Sequence, residues 1–233
     1  LSRRQHQPKQ VKQLATLGLS AYEVLTTTRA VRKLLDFDRP VSMALIEECL
    51  QIALQAPSGS NAQGWHFVVV TDREKIDCIA EYYQRAFAVY AASEYQPTGH
   101  HREDPALAAT QVRVLTSAQY LADNLHRVPA LLIPVTVMRP DFPGVSLSAI
   151  AGIMGSILPA VWSFMLAARN RGLGTCWTTL HLDYEKEIGS LLGIPEEHGQ
   201  VALIPIAYTL GTDFRPAPRK DLSSVLHHNS WQA

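Results

Sequence analysis

Cysteine is scarce in this 233-residue sequence: Cys49, Cys78 and Cys176 are far apart and form no C-x-x-C pair. Such a set encodes neither a disulfide framework nor a zinc knuckle, and a reducing, cytoplasmic setting is the expectation. Net charge is missing too, with 21 Lys and Arg against 21 Asp and Glu. No excess of positive charge marks the chain for nucleic acid or polyanions in general. Four catalytic fingerprints are absent, namely G-x-G-x-x-G, G-x-x-x-x-G-K-[ST], G-x-S-x-G and H-E-x-x-H, which removes the usual sequence signs of a Rossmann dehydrogenase, a P-loop NTPase, an α/β-hydrolase and a zincin. The adjacent pairs His100-His101 and His227-His228 point apart on any regular element, so no metal site is expected. The opening LSRRQHQPKQVKQ lacks the apolar core of a signal peptide. Residues 1–18 are expected to form a flexible tail ahead of a single domain over 19–233.

With 47% hydrophobic and 18% charged residues, the composition is that of a globular chain able to bury a full core. Ser20 and Glu23 form a capping box, predicting a helix that runs up to Thr26-Thr27-Thr28. TTTRAVRKL reads as a basic connector. Pro40 and Ser42 open a second helix with Leu45, Cys49, Leu50 and Ala53 on one stripe, stopped at Pro57. The segment 58–64 is a loop, and His66–Thr71 a buried strand. Thr71 and Glu74 suggest a capping box for a helix to about Tyr90. Ala106–Arg127 is helical, Ala130–Met138 a strand, TCWTT a short strand, and Tyr184–Leu192 a helix with Asp183 as N-cap and Gly193 as its stop. Val201–Leu210 is the last strand, followed by a Pro-rich end with a short helical stretch at Leu222–Leu226. The pattern describes a small sheet covered on both faces by helices, α+β or α/β.

From Phe142 to Ala168 there are 27 residues without a charge. About 20 apolar residues suffice to span a bilayer, so a membrane helix is the alternative here. Pro143, Gly144, Gly152, Gly155 and Pro159 interrupt the run, and the favoured reading is a helix buried on all sides, in the core or in a dimer interface, with no membrane. Ser148, Gly152 and Ser156 recur every four positions, giving one face that another helix can approach closely.

Two stretches carry chemistry suited to a phosphorylated planar cofactor. Arg29 and Arg32, three apart in R-A-V-R, place two guanidinium forks where they can clamp a phosphate or the edge of a heterocycle; a solvated basic face is the plain alternative. Pro57-Ser-Gly-Ser-Asn-Ala-Gln-Gly-Trp65 offers small residues, backbone N–H groups and two amides between a helix stop and a strand. Its plain alternative is a helix-to-strand turn anchored by Trp65.

Taken in order, TRAVRKL, APSGSNAQGWHFVVV, RGLGTCWTTL and PAPRKDLSSV resemble the FMN-dependent nitroreductase family over about Tyr22 to Leu226. The resemblance implies an α+β nitroreductase-like fold, a small central sheet flanked by helices, in a domain-swapped homodimer with FMN at the subunit interface. It implies that Arg29, Ala30, Val31 and Arg32 form the N-terminal flavin motif, the arginines contacting the phosphate and the pyrimidine edge. Pro57, Ser58, Gly59, Ser60, Asn61 and Gln63 match the loop beside the isoalloxazine, offered to the partner's flavin. Thr178 and Thr179 match the segment that reaches the ring near N5 and O4, and Arg219 with Lys220 the terminal basic pair on the phosphate. The uncharged helix matches the family's dimer-core helix.

The departures are specific. Thr28 and Ala30 stand where many members carry Arg and Ser, and Gly64 replaces a common proline. Trp177-Thr178-Thr179-Leu180 replaces the proline and glutamate-glycine of the best-known bacterial nitroreductases and is closer to the iodotyrosine-deiodinase-like branch. That branch's Glu-x-x-x-Tyr pair is missing, because Glu81 is followed four residues later by Arg85, so amino-acid dehalogenation is not expected. The implied activity is ping-pong hydride transfer from NAD(P)H through FMN to a nitroaromatic or quinone, with no obligate side-chain acid or nucleophile. Cys176 is expected to be a packed thiol. Tyr82, Tyr83, Phe87, Tyr90 and Tyr95 either line a channel for a small aromatic substrate or pack beneath a loop. A non-catalytic flavin carrier or sensor, and a flavoenzyme using another donor such as a deazaflavin, remain open alternatives.

Overall fold

The computed structural model describes residues 15–100, 103–141 and 143–231. Most of the expected tail, and His101 of the first histidine pair, therefore lie outside the described residues. Leu17 and Leu19 are tied by their backbone N–H groups to the carbonyl and the side-chain oxygen of Asn170, at 2.7 and 3.1 Å.

Helix α1 (Ala21–Thr27) begins on the complete Ser20/Glu23 capping box. Strand β1 (Leu35–Asp36), not anticipated from the sequence, precedes α2 (Met43–Ala53), which Ser42 caps. The α2 helix ends well before Pro57. Strand β2 (Trp65–Val70) leads to α3 (Arg73–Ala92), whose N-cap is Asp72 rather than Thr71. The Asp72 carboxylate accepts from Lys75 N at 3.0 Å, consistent with the stronger capping of Asp than of Thr. Helix α4 (Pro105–Asn124) and a 3-10 turn at Leu125–Arg127 together cover the expected Ala106–Arg127 helix.

Strand β3 (Ala130–Thr136) is followed by α5 (Leu147–Asn170), β4 (Leu173–Thr175), α6 (Glu185–Leu192), β5 (Gly199–Gln200) and β6 (Ile204–Thr209). Gly193, at φ +70°, closes α6 as expected. Asp183 is not its cap: the chain arrives through a 3-10 turn, Leu180–Tyr184, and the capping position is Tyr184, without a side-chain bond. The expected strand in TCWTT lies earlier, at Leu173–Thr175, where the chain runs beside β6; Thr178 makes only an isolated bridge to Leu203. Of the expected Val201–Leu210 strand, Ile204–Thr209 forms β6, and the short β5 lies just before that range. Pro134 in β3 has no N–H to donate, and its carbonyl accepts from Val201 N at 3.0 Å between the two paired stretches.

All pairings of the named strands are antiparallel, in the order β1-β6-β3-β2, with β4 on β6 and β5 on β3. The fold is therefore α+β. Alternation along β3 sends Leu131, Ile133 and Val135 to one face, against Ile79, Tyr83 and Phe87 of α3 and Ile188 of α6. Ala130 and Leu132 face Ile46 and Cys49 of α2 and Val161 and Phe164 of α5. Burial on both faces explains why the strand reads as one apolar run.

Within the single chain, helix α5 is buried along one side. Its C-terminal half carries Ile157, Val161, Phe164 and Ala168 into the core, whereas Leu147 is 81% and Trp162 40% exposed. Among the described residues it is the one helix long and apolar enough to cross a membrane, with a mean hydropathy of 1.8. The small face takes up a loop rather than a helix: Gly59 N donates to Ser156 Oγ at 2.9 Å, and Ser156 Oγ donates to Gly152 O.

Candidate functional site

Backbone pairing joins two of the sequence-predicted segments. Ala30 bridges Thr175 in parallel, and Val31 N donates to Thr175 O at 2.8 Å. Val31 is buried between the segments, leaving Arg29 and Ala30 exposed and Arg32 half-buried. The connector thus behaves as an added edge of the sheet. Arg32 Nη1 donates to Ser117 Oγ of α4 at 3.4 Å. Its guanidinium also stands against the Cys176 thiol, whose pKa burial raises and Arg32 partly offsets.

Thr178 lies on the same edge. Its N–H donates to Leu203 O at 3.1 Å and its carbonyl accepts from Leu203 N at 2.8 Å, so its backbone is fully used. The side chain is 9% exposed, and Oγ1 has no hydrogen-bond partner of ordinary geometry among the described residues. Beneath it, Tyr83 is 3% exposed; burial pushes its phenol up to about 12, with the Thr178 side chain and Arg32 acting in the other direction. Thr179 is exposed.

The chain end reaches this edge through a residue the sequence reading passed over. Arg169, 5% exposed at the end of α5, donates from Nε and Nη2 to Thr27 Oγ1 at 3.3 Å and from Nη2 to Thr212 O at 2.9 Å. Its guanidinium lies over Phe214 at 4.9 Å. Two residues beyond Thr27, Arg29 Nη1 meets Arg215 O at 3.3 Å. The only sequence signal for Arg169 was that it is the charge ending the uncharged run. Arg219 and Lys220 are exposed further along the tail, and Arg219 donates to Pro218 O at 2.9 Å.

The Pro57–Gln63 loop is placed differently, against α5. Ser58 Oγ accepts from Gln63 N at 3.0 Å, and Gln63 Nε2 donates to Asn61 Oδ1 at 3.1 Å. Ser60, Asn61 and Gln63 all adopt φ between +50° and +53°. Three non-glycine residues in the left-handed region of one short loop are costly. Of the aromatic set, Tyr83 and Phe87 are core, Tyr82 packs on Tyr184 with centroids 5.0 Å apart, and Tyr95 is 71% exposed.

The fold, an antiparallel sheet between two helical layers, is similar to solved structures of a nitroreductase and of iodotyrosine deiodinase. A mutant FMN- and NADPH-dependent nitroreductase from sphigopyxis sp. strain HMH matches with a TM-score of 0.66 at 23% identity, over 91% of this chain and 100% of that one. Oxidized iodotyrosine deiodinase bound to FMN and 3-iodo-L-tyrosine matches with a TM-score of 0.63 at 21% identity, over 90% and 99%. These likenesses concern the fold. The model of the nitroreductase family matches residues 25–208, and the chain belongs to that family. In sequence it is 29% identical to 4-nitrobenzoate reductase of Nocardioides sp. (strain LMS-CY), over 84% of this chain and 83% of that protein. It is 26% identical to iodotyrosine deiodinase of Drosophila melanogaster, over 88% and 68%.

Proposed function

We propose that this flavin oxidoreductase of the nitroreductase family takes a hydride from NAD(P)H and passes it, in two separate half-reactions, to a nitroaromatic or quinone acceptor. The net reaction with a quinone consumes one NAD(P)H and one proton and returns NAD(P)+ and the hydroquinone. FMN, when bound, supplies the two-electron centre. The observation that carries the reading is the pairing of the 29–32 connector with the strand that leads to Thr178, which sets Arg29 and Arg32 on one edge with Thr178 and Thr179.

The residues at this edge fit such a group. Arg29 would hold the phosphate, joined by Arg219 and Lys220, which no contact among the described residues ties to this edge. Arg32 is steadied by Ser117 and would sit as a fixed cation at the pyrimidine edge, where it stabilises negative charge. Thr178 would donate its hydroxyl to the ring. Ala30 and Val31 contribute backbone, and Thr179 flanks the ring. Pro57, Ser58, Gly59, Ser60, Asn61 and Gln63, turned onto α5, would serve the flavin of a second subunit.

That assignment requires a homodimer. Support comes from apolar residues left open on α1, α2 and α5, including Leu25 at 60%, Ile52 at 41% and Trp162 at 40% exposure. The three free cysteines support a cytoplasmic location.

The test is the visible spectrum of the purified chain. A bound-flavin absorption that NADPH bleaches and a quinone restores is the expected result; flavin that binds without turnover would make the protein a carrier or sensor. Arg29→Ala, on an exposed side chain, should weaken FMN retention by about tenfold to a hundredfold. Unchanged flavin content after that substitution removes Arg29 from the site.

A further inference from the structure

A second cavity, of about 740 Å³, opens between α6, the 194–200 segment and the turn after β3. Its volume is in the range of small-molecule sites. Arg139 forms one wall and is spent internally. Its Nε and Nη2 grip the Asp141 carboxylate at 2.9 and 2.8 Å, Nη2 also donates to Glu185 Oε2 at 2.6 Å, and Nη1 reaches His198 O at 3.4 Å. The guanidinium holds the Asp141 carboxyl below the usual carboxylate range, with Lys186 adding to the effect. Glu185 Oε1 accepts from Gln200 N at 2.8 Å.

What this network leaves over is an acceptor. Gln200 is 5% exposed, and its Nε2 donates to Glu185 O at 2.8 Å, which fixes the amide's orientation. Its Oε1 is buried with no partner among the described residues. A buried carbonyl oxygen in that state calls for a donor. His198 Nδ1 is likewise without a partner, since Glu197 Oε1 stands 3.8 Å away, beyond hydrogen-bond distance. Glu196 and Glu197 are exposed at the rim.

The charge agrees with the hydrogen bonding: among the described residues that line the cavity, Asp141, Glu185, Glu196 and Glu197 stand against two cations, Arg139 and Lys186. The complementary ligand is a cation rich in N–H donors. A metal ion does not suit the lining, because among the described residues no three His, Cys, Asp or Glu side chains are grouped to hold one.

We propose that this cavity binds a small aliphatic diamine or polyamine, one ammonium donating to Gln200 Oε1 and a second meeting Glu196 and Glu197 at the rim. The site is separate from the proposed flavin edge and does not depend on it. Isothermal titration of the full chain with 1,5-diaminopentane tests it. Saturable one-site binding is expected, weakened about tenfold or more in the E196Q/E197Q double variant. Gln200→Leu should lower affinity as well; should that variant fail to fold, the rim variant, on exposed side chains, decides alone. Absence of saturable binding up to about 10 mM diamine, or affinity unchanged in the E196Q/E197Q variant, overturns the proposal.

Discussion

The backbone N–H of Val31 donates to the carbonyl of Thr175 at 2.8 Å, joining the arginine connector to the strand that leads to Thr178. The approach is possible because Gly174 has no side chain: a Cβ there would lie 2.8 Å from Thr209 Cγ2, 2.9 Å from Leu35 Cδ2 and 3.0 Å from Val31 Cγ1. Packing at Gly174 thereby sets the position of the proposed flavin edge.

Gly174→Ala should destabilise the protein by about 1–3 kcal/mol through overpacking. Each kcal/mol moves Tm by roughly 2–4 °C in a domain of this size. Since Val31 is one of the atoms that must give way, flavin content should fall with Tm. Calorimetry paired with the ratio of visible to ultraviolet absorbance checks both; a variant with wild-type Tm would show that the connector is not so tightly held.

Glu48 of α2 and Arg171 at the end of α5 form a buried ion pair, 6% and 7% exposed. Glu48→Ala leaves the guanidinium uncompensated and should cost about 3–5 kcal/mol, whereas replacing both residues by Met should cost far less. Urea unfolding of the single and double variants measures the difference. Equal losses in the two would mean that packing volume, rather than charge, is what α2 and α5 share there.

His181 is fully buried, with neither ring nitrogen partnered among the described residues, and burial lowers its pKa to about 3. The unfolded chain, with a His pKa of about 6.5, binds the proton first, so stability is complete above that pH and declines as pH falls from 6.5 towards 3. Between pH 7.5 and 5.5, where carboxylates scarcely titrate, this single group should remove about 1.4 kcal/mol. His181→Leu should flatten that slope and, by burying no unpaired nitrogen, leave stability at pH 7.5 no lower. A slope that survives the substitution assigns the effect to another group.

The three thiols should separate cleanly under a disulfide reagent. Cys49 and Cys176 are fully buried, and burial raises both thiols, Cys49 to about 12. Cys78 is half-buried on α3. One thiol per chain should therefore react in the native protein and three in denaturant. Fast native labelling at Cys176 would reopen a chemical role for it.

Local signals in the sequence determined most of the helices. The Ser20/Glu23 box, Ser42, and Gly193 in the left-handed region each act within a few residues of the helix end they define, so no tertiary knowledge was needed to place them. The apolar run at 130–136 equally fixed a doubly covered strand. Where two adjacent candidates competed, as at Thr71 and Asp72, or where a distant partner set the limits, as at β4 and β6, the sequence was off by a few residues. Membership of the nitroreductase family was legible from four separated motifs, because each keeps its own residues in order. Tertiary structure alone decided what those motifs do together. It laid Ala30 and Val31 against Thr175, used up the backbone of Thr178 on Leu203 while setting its side chain beside the Tyr83 phenol, and turned the 57–63 loop onto α5. It also brought in Arg169, which clamps Thr27 to Thr212 and carries the chain end to Arg29. Such relationships depend on hydrogen bonds between residues from 25 to 186 positions apart, and no local pattern of residues encodes the partner at that distance.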